Sequence, residues 1–443
     1  PEQVQYYTSD WDYILSLAET NGLIVTVING TVSVIAPDAT TTSVLTVTYG
    51  TDLLEFYADL NALTQLASVT ATTWDYKNQA VSTGQATPDA SGPGNLSTQT
   101  LSGVVGLSSY QLQTSAPLQA ADLTNWSKAQ VIKSEYSKIM GEAKFQGSNL
   151  VDPAKYITFA GLGDRFNGDY LVSGVVHDLS DGNWVTEVSL GLSPLWFTEE
   201  PDVMSPPASG ILPGARGLFN GIVKQIAEDP DSQYRILVTV PLFDANGAGI
   251  WARLTNFYST SGAGVFFLPE VGDEVVLGFL NEDPRYPIIL GSMYSNSKLI
   301  PFTGLTPQDN NALKAIVSKS GIYIQFDDDK KVLTIATPDK NTILFSDADK
   351  KISIMDDNSN TLVMSGSGIA MTSNNDITIT ANQKLVLNGV QGVQVTSSGG
   401  DVQLTGTNIK ESADMQYSAQ GGETAQINAG MELTLKGAMV MIN

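Results

Sequence analysis

His177 is the only imidazole in the sequence, and cysteine is absent. Without a thiol there is no disulfide, no thiolate zinc site and no cysteine nucleophile. With one histidine, neither a His-Glu-x-x-His zinc helix nor any two-histidine cluster can be assembled within a single chain, and a Ser-His-Asp triad would have to recruit His177 itself. Its setting is the alternating run Val175-Val176-His177-Asp178. A polar group in such a run is ordinarily a hydrogen-bonded fitting of a strand, so a structural histidine is expected.

Carboxylates are numerous, 46 in all, but they are not arranged for catalysis. Asp327-Asp328-Asp329 and Asp356-Asp357-Asn358-Ser359-Asn360 offer oxygen ligands of the kind calcium takes, without EF-hand spacing. Both lie between strand-like runs, where Asp and Asn bond their own backbone; turn chemistry is expected, with calcium as the lesser alternative. No carboxylate pair stands in a pocket-like context suited to glycoside hydrolysis. No Walker loop is present, and Gly161-x-Gly163 lacks the strand-loop-helix setting of a dinucleotide site. Phe257, Tyr258, Phe266 and Phe267 have few basic neighbours, unlike the aromatics of a nucleic-acid groove, and are expected in a core or a subunit contact. The reading is of no catalytic residue, no metal and no cofactor.

What does recur is an apolar pair flanking one other residue. Ile369-x-Met371, Ile377-x-Ile379, Leu385-x-Leu387, Val393-x-Val395 and Val402-x-Leu404 follow one another every eight or nine positions. Residues at i and i+2 share one face of a strand, so each unit is a very short strand with one apolar side. A single-chain β-helix needs a full coil per repeat, roughly eighteen residues or more. Eight residues fit one side of a three-sided prism to which three identical chains each contribute. A homotrimeric needle is expected, with those ten residues as its core. The tail ends in Met439-Val440-Met441-Ile442-Asn443, and an open apolar prism end needs a cover. Docking of a separate tip protein on these five residues is expected, with self-capping as the alternative.

The elements before the needle read as mainly β with a helical minority, in keeping with 40 glycines and 16% charged residues. Ser9-Asp10 starts a capped helix that closes at Asn21-Gly22, and Asn29-Gly30 joins two β-branched runs as a hairpin. Strands are expected at 44–48, 70–74, 156–159, 170–177 and 184–191, a loop at 82–102, and a second helix at 122–145 capped by Asp122. Both sets of strands are expected to belong to one mixed α and β module. Strands at 221–226, 234–240, 251–255, 264–268, 274–279 and 288–291 suit a small closed barrel. The domain boundaries follow: the mixed module at 1–204, which the resemblance described below implies is a partial hub, an extended linker at 205–216, a barrel at 217–297, a bridge at 298–319 and the needle at 320–443. The opening Pro1 suggests a fragment. No signal peptide is evident, and no apolar run approaches the roughly 18 residues of a membrane span. A net charge of −23, three times that in a trimer, repels nucleic acid and anionic membrane surfaces.

The run from Pro269 to Tyr294, PEVGDEVVLGFLNEDPRYPIILGSMY, resembles the oligonucleotide/oligosaccharide-binding (OB) barrel signature of spike proteins from contractile injection systems. That family comprises the valine-glycine repeat protein G (VgrG) of type VI secretion and the fused hub and needle proteins of myophage and phage-tail-like particle baseplates. Tyr7-Thr-Ser-Asp-Trp-Asp-Tyr-Ile-Leu15, Trp74-Asp-Tyr-Lys-Asn-Gln79 and Gly161-Leu-Gly-Asp-Arg-Phe-Asn-Gly-Asp-Tyr170 resemble its phage late-control hub. The resemblance spans essentially the whole chain, although family members carry a further tube-domain segment before the first helix motif. It implies a late-control-type hub β-barrel module, an OB-fold barrel and an intertwined trimeric β-helix or β-prism needle. It further implies a hexameric inner tube, baseplate proteins and a proline-alanine-alanine-arginine (PAAR) type tip protein as partners, with effector cargo possible. A protein of this kind is made in the cytoplasm, assembled into a baseplate, and delivered outward or carried on a released particle to cross a target membrane mechanically. A spike-borne cell-wall hydrolase is disfavoured by the short bridge and by a C-terminus with no domain after it; a glycan-binding tailspike or adhesin is the other alternative.

Overall fold

The structure is a computed structural model that describes residues 4–89, 92–107, 109–244, 246–295, 300 and 305–442. It divides into two units, Pro1–Leu299 and Ile300–Asn443.

In the first unit the Ser9 hydroxyl accepts the Asp12 N–H and caps α1 (Asp10–Thr20), with Asp10 and Asp12 in the first turn. Both features suit the positive end of a helix. The hairpin of β1 (Ile24–Ile28) and β2 (Thr31–Ile35) turns through Asn29 and Gly30 at φ 49° and 78°, the positive pair a type I′ turn requires. There follow β3 (Leu45–Thr48), β4 (Leu53–Leu60), β5 (Val69–Asp75), β6 (Ala80–Ala86), α2 (Thr98–Val105), β7 (Tyr110–Thr114), α3 (Ala120–Tyr136), β8 (Ile139–Gln146), β9 (Tyr156–Ala160), β10 (Gly168–Ser180) and β11 (Asn183–Leu190). A six-stranded sheet in the order β3-β9-β10-β11-β8-β4 closes over its own apolar face. Phe56 of β4 meets Phe159, Phe166 and Tyr170 with ring centroids 5.4, 6.1 and 6.2 Å apart, tilted and edge-on contacts that aromatic quadrupoles favour.

The second sheet, β6-β5-β7, is covered by α3 through Leu123 and Val131 on Val69, Ala71 and Leu112. Gly84 allows this approach: a Cβ there would stand 2.3 Å from Thr124 N. Two expectations are corrected here. The stretch 82–102 is not all loop, since β6 continues to Ala86 and Ser97 caps α2 by accepting the Thr100 N–H. The second helix stops at Tyr136, and Ile139–Gln146 is a strand between β4 and β11. Good helix formers yield there to two ladders of sheet pairing. Asp122 lies in the first turn of α3, one helical turn past the cap residue Gln119.

α1 is tied to α3 by an ion pair between Glu19 and Lys133, whose side chain is only 8% exposed. Glu19 also accepts the Phe197 N–H at 2.6 Å, and the Lys133 ammonium stands over the Trp196 ring.

The expected extended linker is instead pinned down. Pro207–Gly210 forms a short 3-10 turn with Ala208 buried; Asn281 donates to the Ser209 hydroxyl, Ala215 N–H to Glu282 O, and Arg216 pairs with Glu282 at 3.0 Å. Adjacent prolines already restrict this backbone, so little entropy opposes docking. The barrel consists of β12 (Phe219–Gln225), β13 (Ile236–Thr239), β14 (Ile250–Leu254), β17 (Glu274–Phe279) and β18 (Pro287–Ser292), with α4 (Pro241–Asp244) and the hairpin β15 (Ser259–Thr260) and β16 (Ala263–Gly264) in its connections. It closes in the order β12-β13-β14-β18-β17 around Val223, Ile236, Val238, Val275, Leu277 and Ile289. The strand expected at 264–268 shrinks to β16. In the β12–β13 loop, Asp229 takes a fork from Arg235 and backbone N–H groups of Asp231, Gln233 and Arg235. The Arg235 guanidinium, aided by those N–H groups, holds the Asp229 carboxyl well below the usual carboxylate range.

The second unit opens with seven five-residue strands, β19 (Leu313–Val317), β20 (Tyr323–Asp327), β21 (Val332–Ala336), β22 (Thr342–Ser346), β23 (Lys351–Met355), β24 (Thr361–Ser365) and β25 (Gly368–Thr372), each antiparallel to the next. β19 falls inside the segment expected as a bridge. Starts at 313, 332 and 351, and at 323, 342 and 361, are 19 residues apart, so the unit of repetition is a strand pair. Among the described residues no strand follows Thr372.

Glu19→Ala leaves the Lys133 ammonium buried without its partner and is expected to destabilise the α1–α3 region by about 3 kcal/mol, measured by urea unfolding followed through tryptophan emission. Because the folded-state pKa of Asp229 is depressed, its contribution is full above the unfolded value of about 4 and fades as pH falls below it. Asp229→Asn is therefore expected to lower the barrel's melting temperature at pH 7, with the difference from the parent narrowing on acidification below that value.

Candidate functional site

The antiparallel registers of β19 to β25 stack alternate residues into columns. One column is Ile316, Ile324, Ile335, Ile343, Ile354, Leu362 and Met371; the next, two residues along each strand, is Lys314, Phe326, Leu333, Phe345, Ile352, Met364 and Ile369. Residues two apart share a face, so thirteen of these fourteen positions put large apolar side chains on one side of the sheet. The exception, Lys314, is drawn to Asp328. On the other side the middle column reads Ala315, Gln325, Thr334, Leu344, Ser353, Val363 and Ala370. The apolar side is wet in the single chain: Ile316, Phe326, Phe345, Ile354, Met364 and Met371 are all exposed. Five members of the first column, from Ile335 to Met371, line a concavity of about 650 Å³ that continues to Ile377.

The acidic runs sit at the turns of this sheet. Asp327 accepts the Lys330 N–H at 3.0 Å, and Asp329 accepts the Asn310 amide. Asp356 accepts both the N–H and the side-chain amide of Asn360 at 2.8 Å, and that amide holds its carboxyl below the ordinary value. Ser373 donates to Asn360 Oδ1 and Asn374 to Asn358 O, which fastens the start of the next segment to the last turn.

Of the ten residues expected at the needle core, Ile369 and Met371 lie in β25, on the apolar side. Ile377, Ile379, Leu385, Leu387, Val393, Val395, Val402 and Leu404 lie on extended, unpaired chain, all exposed, with Ile379 at 63% and Leu387 at 68%. Across the described residues 373–442, the one backbone-to-backbone hydrogen bond joins Gly392 N–H to Gly389 O. Met439, Val440, Met441 and Ile442 are exposed; Asn443 lies outside the described residues. The sequence reading placed the needle from residue 320 but named no core residue in the columns upstream of Ile369. Their signal was present in Ile324-x-Phe326, Ile343-x-Phe345 and Ile352-x-Ile354, spaced alternately by 19 and about 9 residues.

His177 lies in the second half of β10, opposite Thr186 of β11. Its Nδ1 lies 3.0 Å from Thr186 Oγ1 and accepts the Trp184 indole N–H at 3.3 Å, with the two rings edge-on at 5.7 Å. These contacts are those of a fitting between paired strands. Phe257, Tyr258, Phe266 and Phe267 are exposed beside β15 and β16 and take no part in the barrel core, because the short hairpin carries them off the barrel wall. No helix among the described residues is long and apolar enough to cross a membrane.

Residues 219–294, from β12 to just beyond β18, match the Type VI secretion system/phage-baseplate injector OB domain. Over these residues the barrel is similar to the OB domain of type VI secretion and phage-baseplate injector proteins. Residues 1–181 match the Alg8 N-terminal domain. The type VI secretion system spike protein VgrG1a of Pseudomonas aeruginosa is 28% identical over 78 residues, 18% of this chain and 12% of that protein. The actin cross-linking toxin VgrG1 of Vibrio cholerae is 38% identical over 53 residues, 12% of this chain and 5% of that one. The chain thus spans about an eighth or less of the curated relatives it matches. Among solved structures, a tail protein of Neisseria meningitidis aligns with 13% identity and a TM-score of 0.32 over 46% of this chain and 59% of that one. The E. coli c3393 protein, a component of the type VI secretion system, aligns with 13% identity and a TM-score of 0.26 over 66% and 63%.

Proposed function

We propose that this chain is the non-enzymatic spike of a contractile injection system, a homotrimer whose shaft is closed by three copies together. The observation that carries the reading is the apolar side of the β19–β25 sheet, continued into residues 373–442 that pair with almost nothing in their own chain. Fully burying a large aliphatic or aromatic side chain stabilises by about 1.5–3 kcal/mol. For thirteen side chains already partly covered, closing the face is worth on the order of 10 kcal/mol per chain. The same closure gives the idle N–H and C=O groups of 373–442 partners on neighbouring chains. An eight-residue strip supplies one side of a three-sided prism, which sets the number of copies.

A shaft built this way transmits axial load because peeling one chain away uncovers apolar surface on all three. Ile369, Met371, Ile377, Ile379, Leu385, Leu387, Val393, Val395, Val402 and Leu404 form the lower core, and the columns from Ile316 to Met364 extend it upward. Met439, Val440, Met441, Ile442 and Asn443 receive a PAAR-type tip protein. The hub, 1–204, meets a hexameric inner tube and the baseplate; the barrel, 217–297, forms a collar; sheath contraction supplies the work of crossing the target membrane. The VgrG match in the barrel supports this assignment.

Light scattering on the full chain is expected to give three times 47.2 kDa. Ile379→Asp with Leu387→Asp, or Ile343→Asp with Phe345→Asp, is expected to reduce that to one chain mass while the barrel's melting transition is kept. A three-chain mass unchanged in both variants would remove the shaft from the assembly.

A further inference from the structure

Between β14 and β17 the barrel extends the β15–β16 hairpin, in which Ser259 pairs with Gly264, Thr260 with Ala263, and Val265 N–H with Tyr258 O. That register, carried one step further, sets Phe257 opposite Phe266. Phe257, Tyr258, Phe266 and Phe267 are 88, 53, 70 and 63% exposed, four large rings on one small projection. Nothing in the barrel core calls for them. Residues 256–268, Asn-Phe-Tyr-Ser-Thr-Ser-Gly-Ala-Gly-Val-Phe-Phe-Leu, contain no charged side chain, in a protein of net charge −23.

We propose that this hairpin is the contact through which the barrels of neighbouring copies of this chain join; the proposal rests on the homotrimer reading above. Two arguments select a second copy as the occupant. Copies of a strongly acidic chain repel wherever charge faces charge, so the surface by which they touch must be neutral, and this stretch is. Aromatic side chains offer roughly 150–250 Å² each, so four at these exposures supply on the order of 500 Å² per copy. A freestanding interface takes about 800 Å² per partner. A patch of this size is too small to capture a diffusing protein and large enough for a copy already held nearby, since a shared shaft raises its local concentration to about millimolar. Nucleic acid is disfavoured because residues 256–268 carry no Lys or Arg to meet a phosphate.

Chymotrypsin cuts after exposed aromatic residues and reads this surface directly. In the full-length protein at three-chain mass, cleavage between 257 and 267 is expected to be suppressed. The double variant Phe257→Ser, Phe266→Ser is expected to keep three-chain mass and to be cut after Tyr258 and Phe267 at least tenfold faster. Thr260→Asp, which places like charge at the exposed tip without removing a ring, is expected to do the same. If the unaltered protein has three-chain mass and is cut there as fast as the variants, or if both variants stay protected, the hairpin contact is wrong and the shaft reading stands. Protection at one-chain mass, or one-chain mass with free cleavage, overturns both.

Discussion

A sheet that satisfies its backbone but not its side chains governs this molecule. Every strand from β20 to β24 has hydrogen-bonded neighbours on both edges, so the meander needs no partner to hold its shape. Its apolar columns have no second layer within the unit, and a one-layer sheet with one greasy side is an unfinished object. Residues 373–442 carry the incompleteness further, because there the backbone too is almost unpaired. Two kinds of deficit, one of side chains and one of main chain, meet at the hydrogen bonds from Ser373 and Asn374 to the preceding turn.

The first unit is finished by comparison. Its six-stranded sheet surrounds its own core, β6-β5-β7 is covered by α3, Lys133 is paired with Glu19, and its linker is bonded to the barrel through Ser209, Ala215 and Arg216. The paired Glu19 and Lys133 show why such matching matters: either group alone at that depth would cost more than the pair contributes.

Much of this was legible in the sequence where local and global signals agreed. The α1 cap at Ser9, the Asn29-Gly30 turn and the alternation of five barrel strands are each written in a few adjacent residues and stand close to where expected, whereas the sixth, at 264–268, does not. Legibility failed where distant pairing overrode local preference. Ile139–Gln146 contains good helix formers yet is a strand because β4 and β11 flank it. The proline-rich linker reads as free chain, and the groups that hold it, Asn281 and Glu282, lie some seventy residues away. The apolar strip after Gly368 was visible because its period is strict. Most of the sheet before it falls inside the span read as needle, 320–443, but its columns were not named, because their repeat is a strand pair of 19 residues. His177 reads as a fitting from its run alone, although its partners Thr186 and Trp184 come from the next strand. The exposed rings at 257–267 could not be placed from sequence, since an aromatic pair reads the same inside a barrel and outside it.

The meander also has a kinetic consequence. Each of its ladders joins strands adjacent in sequence, with turns of a few residues, and such low contact order makes for rapid unimolecular folding. If copies associate as proposed above, dependence on protein concentration is deferred to a later step in which these preformed faces meet, and the unpaired residues after Thr372 close only after it.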